Sequence, residues 1–184
     1  MKVYEGANIR NLAVVGHGHA GKTSLVSALL YTAGATQRLG RVDEGTTVTD
    51  YDEEEIARAM TLSSGVAYAE WGKTKVSLLD TPGFNMFVHE AKSSMVAAEA
   101  ALVVVDGVAG VEVVTDRVWG FAEEFELPRA IVASRMDRER ADAARVLESL
   151  TSAFGRTVIP VQLPIGQEKS FTGVVDLVRM KAYT

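Results

Sequence analysis

One segment near the start of the sequence combines residue types and spacing that suit phosphate binding. The residues 16–23 read Gly-His-Gly-His-Ala-Gly-Lys-Thr and match the pattern G-x-x-x-x-G-K-[ST] at every fixed position. In this pattern the glycines allow backbone N–H groups to wrap the phosphates, and Lys22 would contact the β and γ phosphates. The hydroxyl of Thr23 would ligate Mg²⁺. The spacing therefore predicts a nucleotide-phosphate site, for which a flexible glycine-rich turn is the simpler alternative.

Two further segments supply carboxylates that could complete this site. The residues 80–83 read Asp-Thr-Pro-Gly and the residues 134–137 read Ser-Arg-Met-Asp, each directly after a short apolar run. Ligands of open α/β sheets bind where strands end, so Asp80 could hold Mg²⁺ through water. Asp137 could accept the N1 proton and the exocyclic amine of guanine, two donors that adenine lacks in that geometry. Taken alone, the first segment is also a common β-turn sequence and the second a common helix start.

The elements that must position these residues alternate between strands and helices. The β-branched run 12–15 ends at Gly16 and predicts a buried parallel strand. A helix is predicted next, because leucines and valines recur at spacings of three and four before Gly34. Further strands are predicted at 66–71, 75–79, 101–105 and 130–133, and further helices at 113–125 and 141–154. The pattern predicts a doubly wound α/β fold with a mostly parallel sheet and one antiparallel edge hairpin.

Two segments fall outside this alternation. The residues 34–62 are polar and rich in Gly, Thr, Asp and Glu. A segment of this length is too long for a simple connection and is typical of a functional or mobile region. After Pro160 the character changes, and the residues 161–164 and 173–183 predict extended segments of a small annex.

Composition and charge exclude several classes of protein. The 184 residues are 47% apolar and 23% charged, values typical of a folded globular chain. With a net charge of −5 the chain has no broad basic surface, so we expect no direct nucleic-acid binding. The absence of cysteine excludes disulfides and thiolate chemistry and fits a reducing compartment. Apolar runs are far shorter than the roughly 18 residues of a membrane span, so we expect a cytoplasmic protein without a membrane partner.

The three motifs, in this order and at these strand ends, resemble those of the translational GTPases, and further detail resembles the G domain of elongation factor G. The segments that carry this resemblance are 11–30, 45–51, 80–83, 103–107, 136–138, 163–166, 173–176 and 180–182. It implies a P-loop GTPase core at 1–157 that lacks its last specificity loop, strand and helix, and the beginning of an elongation factor G-type insert at 158–184. It also implies GTP or GDP and Mg²⁺ as cofactors, and the ribosome as a partner reached through further domains absent from this chain.

The same resemblance implies roles for individual residues. Lys22 and Thr61 stand at catalytic positions, and Thr61 is similar to the first switch threonine, which closes on Mg²⁺ and the γ phosphate. Phe84 stands where the family has its catalytic histidine. Thr23, Thr61 and Asp80 would hold Mg²⁺, Asp80 through water. The residues implied in nucleotide binding are His17, Gly18, His19, Ala20, Gly21, Lys22, Thr23, Ser24, Asp80, Gly83, Ser134, Arg135 and Asp137.

The chain departs from the family pattern at several positions. Phe84 cannot orient an attacking water as a histidine would, which would slow hydrolysis by roughly 10²- to 10⁴-fold if nothing replaces it. Ser134 and Arg135 replace an Asn and a Lys that read guanine. Arg135 can still lie flat over a base, whereas Ser134 is too short to copy the Asn. His19 replaces an Asp of the phosphate loop, and Ala59 replaces a Gly before the switch segment.

The sequence is therefore compatible with three functions. The first is a GTPase whose nucleotide state drives large domain movements on the ribosome during protein synthesis. The second is a binding module that holds GTP or GDP with little hydrolysis, which Phe84 favours. The third is a P-loop ATPase, which Ser134 and Arg135 favour but which Asp137 and the insert oppose.

Overall fold

Five strands form the central sheet of the computed structural model, which describes residues 2–184. They are β1 (Ile9–Gly16), β2 (Gly65–Trp71), β3 (Thr74–Asp80), β4 (Ala100–Asp106) and β5 (Arg129–Ser134). Their order across the sheet is β2-β3-β1-β4-β5. All neighbouring pairs are parallel except β2 with β3, which form the edge hairpin expected from the sequence. The predicted α/β fold with a mostly parallel sheet is confirmed.

Helices pack on both faces of this sheet. They are α1 (Lys22–Thr32), α2 (Glu53–Arg58), α3 (Val88–Val96), α4 (Val113–Glu124) and α5 (Ala143–Phe154). Among residues 2–184 no helix is long and apolar enough to cross a membrane. Neither α2 nor α3 is predicted by the sequence pattern. α2 is a short helix inside the polar segment 34–62, and α3 has few large apolar side chains, so neither shows a clear apolar stripe.

The apolar run of β1 is continuous because the strand is covered on both sides. Val14 packs with Val26 and Leu30 of α1 on one face of the sheet. Val15 points to the other face and packs with Met95 of α3 and Val118 of α4. Full burial of each such side chain contributes about 1.5–3 kcal/mol relative to leaving it exposed. The two cores fix the strand from which the phosphate loop begins.

A second, smaller sheet follows the fifth helix. Its strands β6 (Gln162–Ile165), β7 (Gly173–Asp176) and β8 (Lys181–Tyr183) are antiparallel and lie in the order β6-β7-β8. The expectation of one extended segment over 173–183 is wrong. A turn divides it into β7 and β8, and the Asp176 carboxylate stabilises the turn by accepting hydrogen bonds from the Val178 and Arg179 backbone N–H groups, both at 2.9 Å. The division of the chain near residue 157 stays a prediction.

The first strand approaches its neighbour β4 very closely where the phosphate loop begins. Gly16 has φ +143°, and a Cβ atom built on it would collide with the Val104 carbonyl oxygen. Only glycine fits both the conformation and the space. The close approach therefore sets where the loop leaves the sheet.

We predict that Gly16→Ala lowers the free energy of unfolding by about 2–4 kcal/mol, because the added methyl group must displace the β4 backbone. Gly120, on the exposed side of α4, is the matched control, since a Cβ there has no atom within 4 Å. Gly120→Ala should raise the free energy of unfolding by about 0.5–1 kcal/mol through helix propensity. Urea denaturation of the three proteins measures both effects. Equal tolerance of the two substitutions would contradict the close-approach argument.

Candidate functional site

A cleft of about 520 Å³, open to solvent, lies at the carboxyl edge of the sheet. The phosphate-loop motif follows β1 there, the 80–83 motif β3 and the 134–137 motif β5. Eleven of the residues singled out in the sequence line the cleft: Gly18, His19, Gly21, Lys22, Thr23, Ser24, Ala59, Thr61, Gly83, Phe84 and Arg135. His17, Ala20, Asp80, Ser134 and Asp137 are not among the lining residues. The tertiary structure thus brings three separated motifs to one cavity.

The phosphate loop is a backbone cradle with one buried cation. Lys22 is the first residue of α1 and is 5% exposed, and its Nζ atom donates a hydrogen bond to the His17 carbonyl oxygen at 2.8 Å. Burial lowers the pKa of Lys22 to about 8, and the attraction of Asp80 only partly opposes this. Gly83 packs closely against the phosphate loop, since a Cβ atom on it would lie 2.6 Å from the Gly18 nitrogen. The positive charge of the Lys22 ammonium is therefore only partly balanced by nearby carboxylates, and this favours binding of an anion.

Oxygen atoms gather beside this lysine. The hydroxyls of Thr23 and Thr61 lie 3.2 Å apart, and Thr61 donates to Asp50 Oδ1 at 3.0 Å. Thr49 donates to Asp80 Oδ2 at 2.7 Å. The other Asp80 oxygen, Oδ1, is buried and has no hydrogen-bond partner within residues 2–184. Hydroxyl and carboxylate oxygens are the donor set that Mg²⁺ prefers.

The two carboxyls near this oxygen cluster have perturbed acidity. Asp80 is fully buried, and burial raises its pKa to about 6 despite the hydrogen bond from Thr49. Burial also raises the pKa of Asp50. Within the described part of the chain no three His, Cys, Asp or Glu side chains group as a metal site. A magnesium ion bound here would therefore take further ligands from the hydroxyls, water and phosphates.

The segment before Thr61 is held by α2. Asp52 caps the helix by accepting from the Glu54 N–H at 2.8 Å. Buried Glu55 accepts from the backbone N–H groups of Leu62 at 2.8 Å and Ser63 at 3.0 Å. Ala59, which ends the helix, has φ +50°, in the left-handed region that glycine adopts most easily. These contacts present Thr61 to the cleft.

Several residues that line or position the site were not predicted from the sequence. Val42, Asp50 and Met60 line the cleft, and Glu55 fixes the backbone after Thr61. Asp50 lies within a segment that the resemblance included, but nothing in its spacing marked it as part of the site. The Asp50 carboxylate meets Thr61 across 11 residues, a contact that no local pattern signals.

Phe84 lines the cleft beside the phosphate loop. Its ring is 3.1 Å from where a Cβ on Gly18 would be, and it meets the His19 ring edge-on at a centroid distance of 5.2 Å. His19 has φ +60° and is exposed. The side chain at this position is apolar and covers the phosphate loop.

The opposite end of the cleft is formed by the residues after β5. The Ser134 hydroxyl lies 2.6 Å from the Ala20 carbonyl oxygen and 3.2 Å from that of Val105, so it links this end to the phosphate loop and to β4. Arg135 lines the cleft, whereas Asp137 is exposed outside it. Ser134 therefore has a structural partner, and its hydroxyl does not reach into the cavity.

We predict that Lys22→Met stabilises the nucleotide-free protein. The folded-state pKa lies below the ordinary 10.5, so the lysine charge costs folding free energy below about pH 8, and the cost disappears as the pH rises toward 10.5. The substitution should raise the free energy of unfolding by on the order of 3 kcal/mol near neutral pH, and the gain should shrink at higher pH.

Urea denaturation near pH 7 and near pH 9.5 measures this difference. Lys73→Met, at an exposed position in the β2–β3 turn, is the control and should change little at either pH. A Lys22→Met protein that is less stable than the original near neutral pH would show that the buried ammonium is compensated after all.

Comparison with known proteins identifies the family. The family model described as the elongation factor Tu GTP binding domain matches residues 7–183. A solved structure from Thermus thermophilus superimposes with a TM-score of 0.90 at 44% sequence identity, covering 97% of this chain and 27% of that chain.

Curated relatives agree with this match. Elongation factor G of Granulibacter bethesdensis is 38% identical over 174 residues, and the elongation factor G-like protein of Thermotoga maritima is 39% identical over 176 residues. Elongation factor G 2 of Streptomyces coelicolor is 40% identical over 174 residues. These alignments cover 95–96% of this chain and 25% of each relative, so the chain spans about a quarter of their length. The chain therefore belongs to the elongation factor Tu GTP binding domain family, as a G domain of the elongation factor G type.

Proposed function

We propose that this chain binds GTP and GDP with Mg²⁺ and hydrolyses GTP, as the nucleotide-dependent switch of a factor that works on the ribosome in protein synthesis. The observation that carries this proposal is the 3.2 Å approach of the Thr61 and Thr23 hydroxyls. Thr23 belongs to the phosphate loop, whereas Thr61 belongs to a segment that reaches the loop from outside the sheet. A Mg²⁺ ion held by both hydroxyls together with the γ phosphate would couple ligand binding to the position of that segment.

The phosphates would be held by the loop itself. The backbone N–H groups of 17–21 and of Ser24 in the first turn of α1 would donate to phosphate oxygens, helped by the positive end of the helix dipole. Lys22 would move its Nζ atom from the His17 carbonyl oxygen to the β and γ phosphates. A hydrogen bond from the ammonium to a phosphate oxygen has a charge on both partners and is stronger than the lost bond, whose carbonyl acceptor is neutral.

Thr23, Thr61 and Asp80 would hold Mg²⁺, Asp80 through water, and the unpartnered Oδ1 atom of Asp80 supports this assignment. Bound there, the ion would neutralise charge that develops on the phosphates during transfer. Thr61, which donates to Asp50 Oδ1, would give up that hydrogen bond in order to hold the ion. The Thr61 hydroxyl would therefore contact the ion when the ligand is bound, and it holds its segment to Asp50 when no ligand is bound.

The guanine base would lie near the residues after β5. Asp137 would accept the N1 and exocyclic amine protons, and Arg135 would lie against the base plane. Ser134 would maintain the loop through the Ala20 carbonyl rather than contact the base. The exposed position of Asp137 leaves its two oxygens available to a ligand.

A second function, a nucleotide-binding module with little hydrolysis, is favoured by one observation. The Phe84 ring packs on Gly18 and His19 at the phosphate end of the cleft, where a group that orients water would be required. An aromatic ring has no hydrogen-bonding atom for that purpose. Binding would be unaffected, but the chemical step would be slow.

The proposed setting is the cytoplasm, with the ribosome as partner. The relatives are named elongation factor G or elongation factor G-like protein. The net charge of −5 supports contact with the ribosome through other domains rather than direct nucleic-acid binding by this one.

We predict that Thr61→Ala weakens GTP binding about tenfold and leaves GDP binding nearly unchanged, because the lost hydroxyl is needed only when a γ phosphate is present. Thr61→Ser retains the hydroxyl and is the matched control. Isothermal calorimetry with GDP and a non-hydrolysable GTP analogue, both with Mg²⁺, measures the two affinities. Equal losses for the two nucleotides would mean that Thr61 serves only to stabilise the fold.

We predict that Phe84→His, introduced into the full-length factor, raises ribosome-stimulated GTP turnover, within the roughly 10²- to 10⁴-fold available to a well-placed acid–base group. Phe84→Leu removes the ring without adding a hydrogen-bonding atom and should not raise turnover. GTP affinity should be similar in all three proteins. Fast turnover of the unsubstituted protein that Phe84→His leaves unchanged would show that another group positions the water.

A further inference from the structure

Asp106 is a carboxylate at the end of β4 to which the proposed function gives no role. Its side chain is 10% exposed, and its Oδ2 atom lies 3.2 Å from Nη1 of Arg135. Its Oδ1 atom accepts hydrogen bonds from the backbone N–H groups of Val108 at 2.8 Å and Ala109 at 3.1 Å. Together these donors hold the pKa of Asp106 below its usual range although burial opposes this. The two backbone N–H groups therefore fix the orientation of the Asp106 carboxylate independently of Arg135.

The loops that carry Asp106 and Arg135 are joined to each other. The Gly107 N–H donates to the Ser134 carbonyl oxygen at 2.9 Å, and the Gly107 carbonyl accepts from the Asp142 N–H at 3.1 Å. A Cβ on Gly107 would lie 2.7 Å from the Met136 sulfur, so the loops are in close contact. Through the Ser134 hydroxyl the assembly also reaches the phosphate loop. The backbone that carries Arg135 therefore has a fixed position relative to the cleft.

Arg135 itself needs an external constraint. Its backbone has φ +55°, and its long side chain is 28% exposed at the cleft. A free arginine side chain populates many rotamers, and ordering it on ligand binding is costly in entropy. A carboxylate that holds one end of the planar guanidinium removes part of that cost, because the plane is oriented before the ligand arrives.

We propose that Asp106 is a positioning residue that holds the Arg135 guanidinium at the cleft as a planar surface for the purine base. The inference rests on the proposed nucleotide binding and adds to it a determinant of affinity at the base end. The Asp106 carboxylate acts through Arg135 and does not contact the ligand. Its loss should therefore weaken ligands that have a base and spare those that consist of phosphate alone.

Asp106→Asn tests this role. The amide oxygen can still accept from Val108 and Ala109, so the turn is retained, but the charge that orients the guanidinium is lost. We expect the Kd for GDP to rise roughly three- to tenfold, the range of a cation–π contact at a partly exposed site, while the Kd for inorganic pyrophosphate stays the same. Asp116→Asn, at an exposed position in α4, is the control and should change neither.

A double-mutant cycle separates positioning from a general effect on the loop. Arg135→Ala should weaken GDP binding at least as much as Asp106→Asn, and Asp106→Asn should cause no further loss in the Arg135→Ala background. Calorimetry with Mg²⁺ present measures all affinities.

Three results would overturn the role of Asp106 while leaving nucleotide binding intact. They are unchanged GDP affinity in Asp106→Asn, tighter GDP binding, and equal losses for GDP and pyrophosphate. Tighter binding would mean that the ion pair holds Arg135 away from the base. An unsubstituted protein that binds neither GDP nor pyrophosphate would overturn the proposed function and this role together.

Discussion

The burial of opposite charges at one edge of the sheet is the constraint on which the site depends. The Lys22 ammonium and the Asp80 carboxylate are both almost inaccessible, and burial lowers the pKa of the first to about 8 and raises that of the second to about 6. Neither group has the solvation it would have in water, and their mutual attraction offsets only part of the cost. The apolar packing on both faces of β1 stabilises the strand against this cost. Each buried charge lacks a full set of partners, which is the basis on which we propose that the site binds a phosphate and a cation.

The contact between Thr61 and the phosphate loop depends on a different set of forces. The segment that carries Thr61 adds no strand to the sheet before β2, so its position comes from hydrogen bonds of side chains, some to backbone groups and some to other side chains. Asp52 caps α2, and Glu55 accepts two N–H groups of the residues after Thr61. Each such hydrogen bond contributes only about 0.5–1.5 kcal/mol net, far less than the two apolar cores contribute together. A segment fixed by a few bonds of this size can change position when a ligand offers its residues better partners.

The side chains that depart from the family pattern make different kinds of contact at the two ends of the cleft. At the phosphate end, Phe84 packs against His19, so two departures contact each other and leave an apolar cover over the loop. At the other end, Ser134 bonds to the Ala20 carbonyl, and Arg135 pairs with Asp106, so the substituted side chains have partners within the fold. In the proposed function the residues of the first end bear on the chemical step and those of the second on affinity.

The sequence alone was sufficient for the fold class and for the motifs at three strand ends, because these depend on local periodicity and on short spacings. The run 12–15, the pattern at 16–23 and the hairpin around Gly72 are all readable within a few residues. Only the tertiary structure shows that Asp50 meets Thr61, that Glu55 fixes the backbone after Thr61, and that Asp106 meets Arg135 across 29 residues. Polar side chains in loops show no periodic pattern in the sequence. The order of the strands in the sheet determines which of these side chains come into contact. β4 and β5 are neighbours, so the loops after them touch, and this adjacency decides which carboxylate stands beside the arginine.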